Sequence, residues 1–429
     1  MSPAVRKAPS PIPIRRERNT LEKLWSRVYL IWILDALLLI TAIIGVRVHR
    51  GAMQGIGKDS APSIIAAQHI KAALADMDAD AANELLGAQN REAFDKRRAD
   101  AAEGLIAAAK NITYGEAEEA PIKAIQLGLG SYEEQIQRAR DLRDRPEKGK
   151  PNEFVEAYRE AANTLDQSLL PEADQLAKAN AEQLHSIYEA ASRRSVGTVF
   201  LFLAMGLALL LELVSVQKFL TERTHRILNP LLVASSLIAL SFVLYTFTAL
   251  GTERHRLKVA KEDAFDSISA LTRAQAVAYD AHADLSRSLL DPAHSVKYEA
   301  AFNANVEQLK KYINAEVNNI TFQYEYEAAS KLNPALQQYL NVNKDIRGLE
   351  QSGNHAESAG TELNQSKWAF DQLDKALAET IDINQGHFDS AVAQGFGELD
   401  HFELEASIVA VTIALLAFFG LLQRIREYQ

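Results

Sequence analysis

No cysteine occurs among the 429 residues of the chain. Disulfide staples and thiolate chemistry are therefore excluded, and any folded part must hold together by packing. Glycine-rich phosphate loops, zincin motifs and nucleophile elbows are missing as well. The serines, histidines and aspartates follow no spacing that bond-making chemistry requires, so the sequence reads as a non-enzyme with no cofactor and no metal site. Runs of alternating β-branched residues are absent, which argues against strands. A basic folded surface is lacking too. The formal net charge is −10, and a nucleic-acid partner calls for the opposite balance.

What is present is unevenly distributed. Residues 1–27 carry seven Lys/Arg against two acids, 51–195 carry 18 against 25, and 252–405 carry 14 against 25. Between these blocks lie four apolar runs, "VYLIWILDALLLITAIIGV" (28–46), "GTVFLFLAMGLALLLELVSV" (197–216), "PLLVASSLIALSFVLYTFTAL" (230–250) and "SIVAVTIALLAFFGLLQ" (407–423). Crossing the hydrocarbon takes about 20 such residues. Arg47 and Arg50 close the first run with no convincing cleavage site, so it reads as a retained anchor.

Short-loop charge sets the expected direction. Arg15, Arg16, Arg18, Lys23 and Arg27 precede span one; Lys218, Arg223 and Arg226 join spans two and three; Arg424 and Arg426 follow span four. All three segments fall on one side, which the rule makes the cytoplasm. The expected division is a basic cytoplasmic tail (1–27), spans at 28–46, 197–216, 230–250 and 407–423, and a cytoplasmic loop (217–229). Extracytoplasmic bundles fill 47–196 and 251–406, and a cytoplasmic tail (424–429) ends the chain.

The two outer segments repeat each other. "GKDSAPSIIAAQHIKAALADMDADAANELLG" (57–87) and "KEDAFDSISALTRAQAVAYDAHADLSRSLLD" (261–291) align at an offset of 204. Asp59 falls on Asp263, Ser63 on Ser267, Asp76 on Asp280 and Asp80 on Asp284. A second island, "NITY" (111–114) against "NITF" (319–322), aligns at 208. Within the first repeat Ile64, Ala67, Ile70, Leu74, Met77, Ala81 and Leu85 recur at helical spacing. Breaks at 86–90, 112–121 and 143–153, matched at 289–295, 320–324 and 349–360, leave four helices per repeat. Short connections favour antiparallel neighbours. The expected fold is an all-α membrane protein with four transmembrane helices and two tandem up-down-up-down four-helix bundles.

A membrane-flanked helical outer domain of this kind resembles the ligand-binding domains of bacterial chemoreceptors and sensor kinases, over about 51–195 and 252–405. That family continues into a signalling coiled coil or kinase, whereas 13 residues separate the middle spans here and six follow the last. In length, short inner loop and tandem outer domains the chain also resembles the four-span relay protein of the actinobacterial glutamine-sensing pathway. That resemblance implies an extracytoplasmic solute-binding protein outside and a serine/threonine protein kinase, or another output protein, inside. It brings no ligand motif with it.

The candidate site residues follow from charge and placement. Asp76 and Asp80, repeated as Asp280 and Asp284, put two carboxylates on one helix face, where they could meet a ligand ammonium, a cation or a basic partner. The plainer reading is a solvated outer face, which Asp78 between them favours. His282 occupies the place of Asp78 in the second repeat, and its spacing to Asp280 and Asp284 does not aim three ligands one way. "NIT(Y/F)" reads as a structural turn. Asp35 and Glu212 lie inside apolar spans, where acids seek polar partners. Arg223, Arg226, Arg424 and Arg426 would meet the cytoplasmic partner. Membrane lipid surrounds the spans, and four spans per chain permit a homo-oligomer. Two functions compete: a sensor or signal relay, and a structural scaffold subunit without ligand-dependent signalling. A transporter is the poorest third, since no span is broken.

Overall fold

The computed structural model describes residues 20–88, 91–145, 152–224, 228–397 and 400–427. All regular structure among these is helical, with no strand. The helices are α1 (Thr20–Gln54), α2 (Ala61–Leu86), α3 (Arg91–Lys110), α4 (Glu116–Asp144), α5 (Glu153–Thr164), α6 (Leu170–Thr224) and α7 (Pro230–Lys258). They continue as α8 (Asp266–Leu290), α9 (Ser295–Val317), α10 (Glu325–Ala329), α11 (Leu332–Gln351), α12 (His355–Thr361), α13 (Lys367–Gly397) and α14 (Phe402–Glu427). Single π-helical turns stand at Gly55–Ser60 and Val259–Phe265, and again at Leu165–Leu169 and Glu362–Ser366. The first two fall at corresponding positions of the two repeats, and the other two lie about seven residues out of register.

Two compact units result. One comprises the described parts of residues 1–47, 195–251 and 399–429. Its interior is apolar, with Leu24, Ile31, Leu38, Phe202, Leu209 and Ile413 among the buried residues. Its exterior is apolar as well: Ile33, Phe200, Leu211, Leu237 and Val411 are all exposed. A soluble bundle would place polar residues there, whereas lipid accepts this arrangement. Gly206 lets two of these helices approach closely, since a Cβ there would come within 2.7 Å of Val243. Four helical stretches are long and apolar enough to cross a membrane, within Leu21–Leu86, Glu153–Glu222, Pro230–Leu290 and His355–Gln423. The chain is a multi-pass membrane protein.

The other unit, Val48–Arg194 with Thr252–Glu398, contains both repeats. The sequence led us to expect two bundles in tandem, and here they share one body. The first repeat packs Leu74, Met77, Leu105, Ile125 and Leu169 around Tyr132 and Tyr158. The second packs Leu271, Leu309, Leu332, Leu336 and Leu373 around Tyr339 and Phe370. Each core takes in residues of the other repeat, Leu290 in the first and Ala72 and Ala75 in the second. The seam runs along α2 and α8. Every residue from 72 to 83 is buried, as is every residue from 281 to 287. Small alanines on all sides of α2 let neighbours close around it, so it has no free polar face.

The "NIT" islands hold corresponding corners. Asn111 Nδ2 donates to the Asp59 carbonyl and to Ser63 Oγ, both at 2.8 Å. Asn319 Nδ2 donates to the Glu262 carbonyl and to Ser267 Oγ. In each turn one glutamate accepts two successive backbone N–H groups, Glu118 from Thr113 and Tyr114, and Glu325 from Thr321 and Phe322. The repetition thus extends to hydrogen bonds. Gly87 ends α2 with φ of 121°, a conformation that side-chain-bearing residues avoid.

Candidate functional site at the repeat seam

Asp78 lies at the centre of the seam. It has no solvent exposure, which rules out the solvated face that the sequence favoured for it. Its Oδ1 accepts from Tyr132 Oη and its Oδ2 from Tyr158 Oη, each at 2.8 Å. Oδ2 also accepts from Arg287 Nε at 2.7 Å, a contact from the other repeat. Arg287 is 1% exposed. Its Nη1 donates to Asp284 Oδ1 at 3.1 Å, while Nη2 stands 3.1 Å from Asp166 outside hydrogen-bonding geometry. Burial opposes the charge of Arg287, but Asp78 and Asp166 more than offset it and hold its pKa well above the ordinary value. A second bridge joins the repeats nearby, where Arg159 donates twice to Asp291.

The four candidate acids flank this knot. Asp76 pairs with Arg97 of α3. Asp280 and Asp284 share Asn305 Nδ2 of α9, at 3.2 and 3.0 Å. Arg97 and Asn305 correspond at the offset of 208 seen for "NIT", so at that position the first pair meets a cation and the second a neutral amide, the second pair's cation being Arg287 instead. Burial raises the pKa of all four carboxyls, with Arg97 opposing at Asp76 and Arg287 opposing at Asp280 and Asp284. The negative charge of Asp76 adds to the rise at Asp80.

His282, at the counterpart of Asp78, has different company. Its ring stacks on Phe370 at 4.4 Å between centroids, and its Nδ1 lies 3.4 Å from Tyr339 Oη and 3.6 Å from Glu362. Burial, reinforced by Lys367, pushes the imidazole down to about 3. Burial pushes Glu362 up to about 7, opposed by a hydrogen bond from Ser286 and by the nearby Ser366 hydroxyl. Between about pH 3 and pH 7 the imidazole and this carboxyl are both uncharged.

A groove opens on each side of the seam, and the two correspond by the duplication. One, about 810 Å³, lies among α2, α3, α8 and α13 and is lined by Arg97, Asp100, Glu103, Tyr279, Asp382 and Asp389. The other, about 560 Å³, is lined by Lys71, Lys178, His185, Arg273, Gln308 and Tyr312. Asp382 and Asp389 of the first correspond to Lys178 and His185 of the second, and Gly104 to Tyr312. Carboxylates dominate the larger groove, whereas the smaller is mixed, with Asp174 and Glu182 among its cations. Among the described residues no group of three or more His, Cys, Asp or Glu could hold a metal.

In the apolar unit, Glu212 accepts from Arg27 Nη1 at 3.0 Å, and Ser215 accepts from the same nitrogen. Asp35 is buried, and its Oδ1 has no hydrogen-bond partner. Arg426 is exposed. Arg226, Arg15, Arg16 and Arg18 lie outside the described residues, as do the side chains of Arg223 and Arg424.

Sequence reasoning singled out the acids but missed Arg97, Arg287 and Glu362. Nothing local marks them. Their partners are 21, 209 and 80 positions away, at Asp76, Asp78 and His282.

The fold and site define a multi-span membrane protein with a helical, sensor-type unit. Residues 52–189, the first repeat, match the actinobacterial sensor domain family. No curated protein and no solved structure matches the chain. The matched domain is of a sensor type, consistent with a general sensory role.

Proposed function

We propose that the chain is a transmembrane relay. Its repeat unit lies outside the cell membrane, both termini lie in the cytoplasm, and a ligand or solute-binding protein received outside changes the binding of a separate cytoplasmic protein, with a serine/threonine kinase as the leading candidate. The carrying observation is the buried seam, where one arginine from the second repeat bonds an aspartate of the first. Tightly packed, charge-paired seams switch between discrete arrangements rather than deforming smoothly. Arg97 gives that seam an opening to the outside. It lines the larger groove and pairs with Asp76, so an occupant that engages Arg97 competes with Asp76. The match to a sensor domain supports the same reading.

The test is photo-crosslinking in native cells from a reactive amino acid placed at Asp389, on the exposed groove rim. It is run with and without amino acids in the medium, and the cytoplasmic partner is recovered in parallel. The relay predicts capture at the groove together with an inner yield that changes with the medium. Inner partners whose yield ignores groove occupancy would make the chain a scaffold and end the relay reading.

A further inference from the structure

Beneath the "NITF" corner of the second repeat lies a pocket of buried oxygen atoms with too few donors. Glu316 of α9, Glu325 of α10 and Asn384 of α13 all have no solvent exposure. Glu316 reaches the side chains of Ser267, Glu325 and Asn384. Even so, neither Glu316 oxygen has a donor in good geometry, nor does Oε1 of Glu325 or Oδ1 of Asn384. The other polar atoms are engaged: Glu325 Oε2 takes two backbone N–H groups, Asn384 Nδ2 donates to the Thr380 carbonyl, and Ser267 Oγ accepts from Asn319. Besides burial, Ser267, Glu325 and Asn384 act most strongly on Glu316, and none of them is a cation.

Two buried carboxylates without a cation cost several kcal/mol each in lost hydration and also repel one another. A shared proton would satisfy only two of the four unpartnered oxygens. A hard cation takes oxygens of all these kinds as ligands. Carboxylate, amide and hydroxyl oxygens without nitrogen or sulfur are the donor set of calcium-like ions, which accept bidentate carboxylates and irregular geometry.

The duplication supplies an internal control. Glu325 corresponds to Glu118, Ser267 to Ser63 and Asn384 to Asn180, and the two glutamates make the same backbone bonds. Glu316 corresponds to Ala108. The first repeat therefore retains the corner but has one carboxylate in place of two.

We infer that Glu316, Glu325, Asn384 and Ser267 form a site for a hard cation of the calcium type, present in the second repeat and absent from the first. The cation ties α8, α9 and α13 together at this corner.

The test uses the full chain in detergent micelles, stripped with EDTA and then supplied separately with Ca²⁺, Mg²⁺ or Na⁺. Metal content is measured by mass spectrometry and thermal midpoint by scanning. The expected result is one equivalent of bound metal per chain and a midpoint that rises with the concentration of at least one ion. Glu316→Gln, which keeps the shape, and Glu316→Ala, which copies the first repeat, should both abolish binding and the rise. Ser63→Ala in the first repeat should leave both intact. The inference is overturned by a wild-type chain that binds none of the three ions, or by binding that survives Glu316→Gln. A midpoint that follows pH and ignores every ion also overturns it, in favour of a shared proton. Metal content of the wild-type chain decides the matter even where a variant does not fold.

Discussion

The first repeat buries a charge where the second buries a neutral ring. Asp78 and His282 occupy corresponding positions on α2 and α8, and Tyr132 and Tyr339 face them from corresponding places on α4 and α11. Tyr158, which bonds Asp78, corresponds to Glu362, which lies beside His282. One framework thus carries two polar centres of different charge. Helix periodicity and core volume are all that the framework demands, so the central residues can diverge provided that each finds partners. Asp78 finds two hydroxyls and a guanidinium. His282 loses its proton and stacks on Phe370.

The largest effect should come from breaking the ionic side. Arg287→Leu leaves Asp78 and Asp284 without their cation in a dry interior, at an expected loss of about 3–5 kcal/mol. Denaturant unfolding of the full chain in micelles measures it, and a loss below about 1 kcal/mol would show that the knot does not hold the seam.

On the neutral side, pH is the more selective tool. Glu362 titrates at about 7 in the fold against an ordinary 4.5, so the folded state binds more protons in that interval. Stability from this group is full below about pH 4.5 and declines as pH rises through 7, by on the order of 2–3 kcal/mol. Glu362→Gln should flatten that decline when unfolding is followed from pH 5 to 8. An unchanged slope would mean that the carboxyl titrates normally.

The tyrosines sharpen the contrast at smaller scale. Tyr132→Phe removes a 2.8 Å bond to a carboxylate, with an expected cost of about 1.5–3 kcal/mol. Tyr339→Phe removes only a 3.4 Å contact to a neutral imidazole, with an expected cost below about 1 kcal/mol. Equal midpoint shifts for the two variants would contradict the difference in charge. Where the repeats agree, the effects should agree as well. Asn111→Ala and Asn319→Ala each delete two hydrogen bonds at matched corners, and each should cost about 1–2 kcal/mol.

Much of this fold was legible in the sequence because its signals are local. The apolar runs, the spacing of Ile64, Ile70, Leu74 and Met77, and the alignment of Asp76 with Asp280 are all visible within a few turns of helix. The seam was less legible. Asp78 looked like evidence for a wet face, since an acid between two others usually is solvated. The contrary clue was "AALADMDADAA", where alanine on every side leaves α2 no bulky polar face and lets helices close in all round. Which cation would meet Asp78 could not be read, because Arg287 lies 209 residues away and corresponds to Asn83 in the first repeat. Glu316 was equally silent, since a third glutamate in a helix with three lysines attracts no notice until its oxygens prove to be buried.

Arg287 also bears on why the two halves share a chain. A symmetric dimer of single repeats would have to place two such arginines at the seam, one from each copy, or none at all. Two such pairs would bury twice the charge that the seam now holds, and with no arginine both aspartates would lose their cation. Joining the halves covalently lets asparagine stand at 83 and arginine at 287, so that each half supplies what the other lacks. The seam is in effect a heterodimer interface whose subunits are always present in equal number.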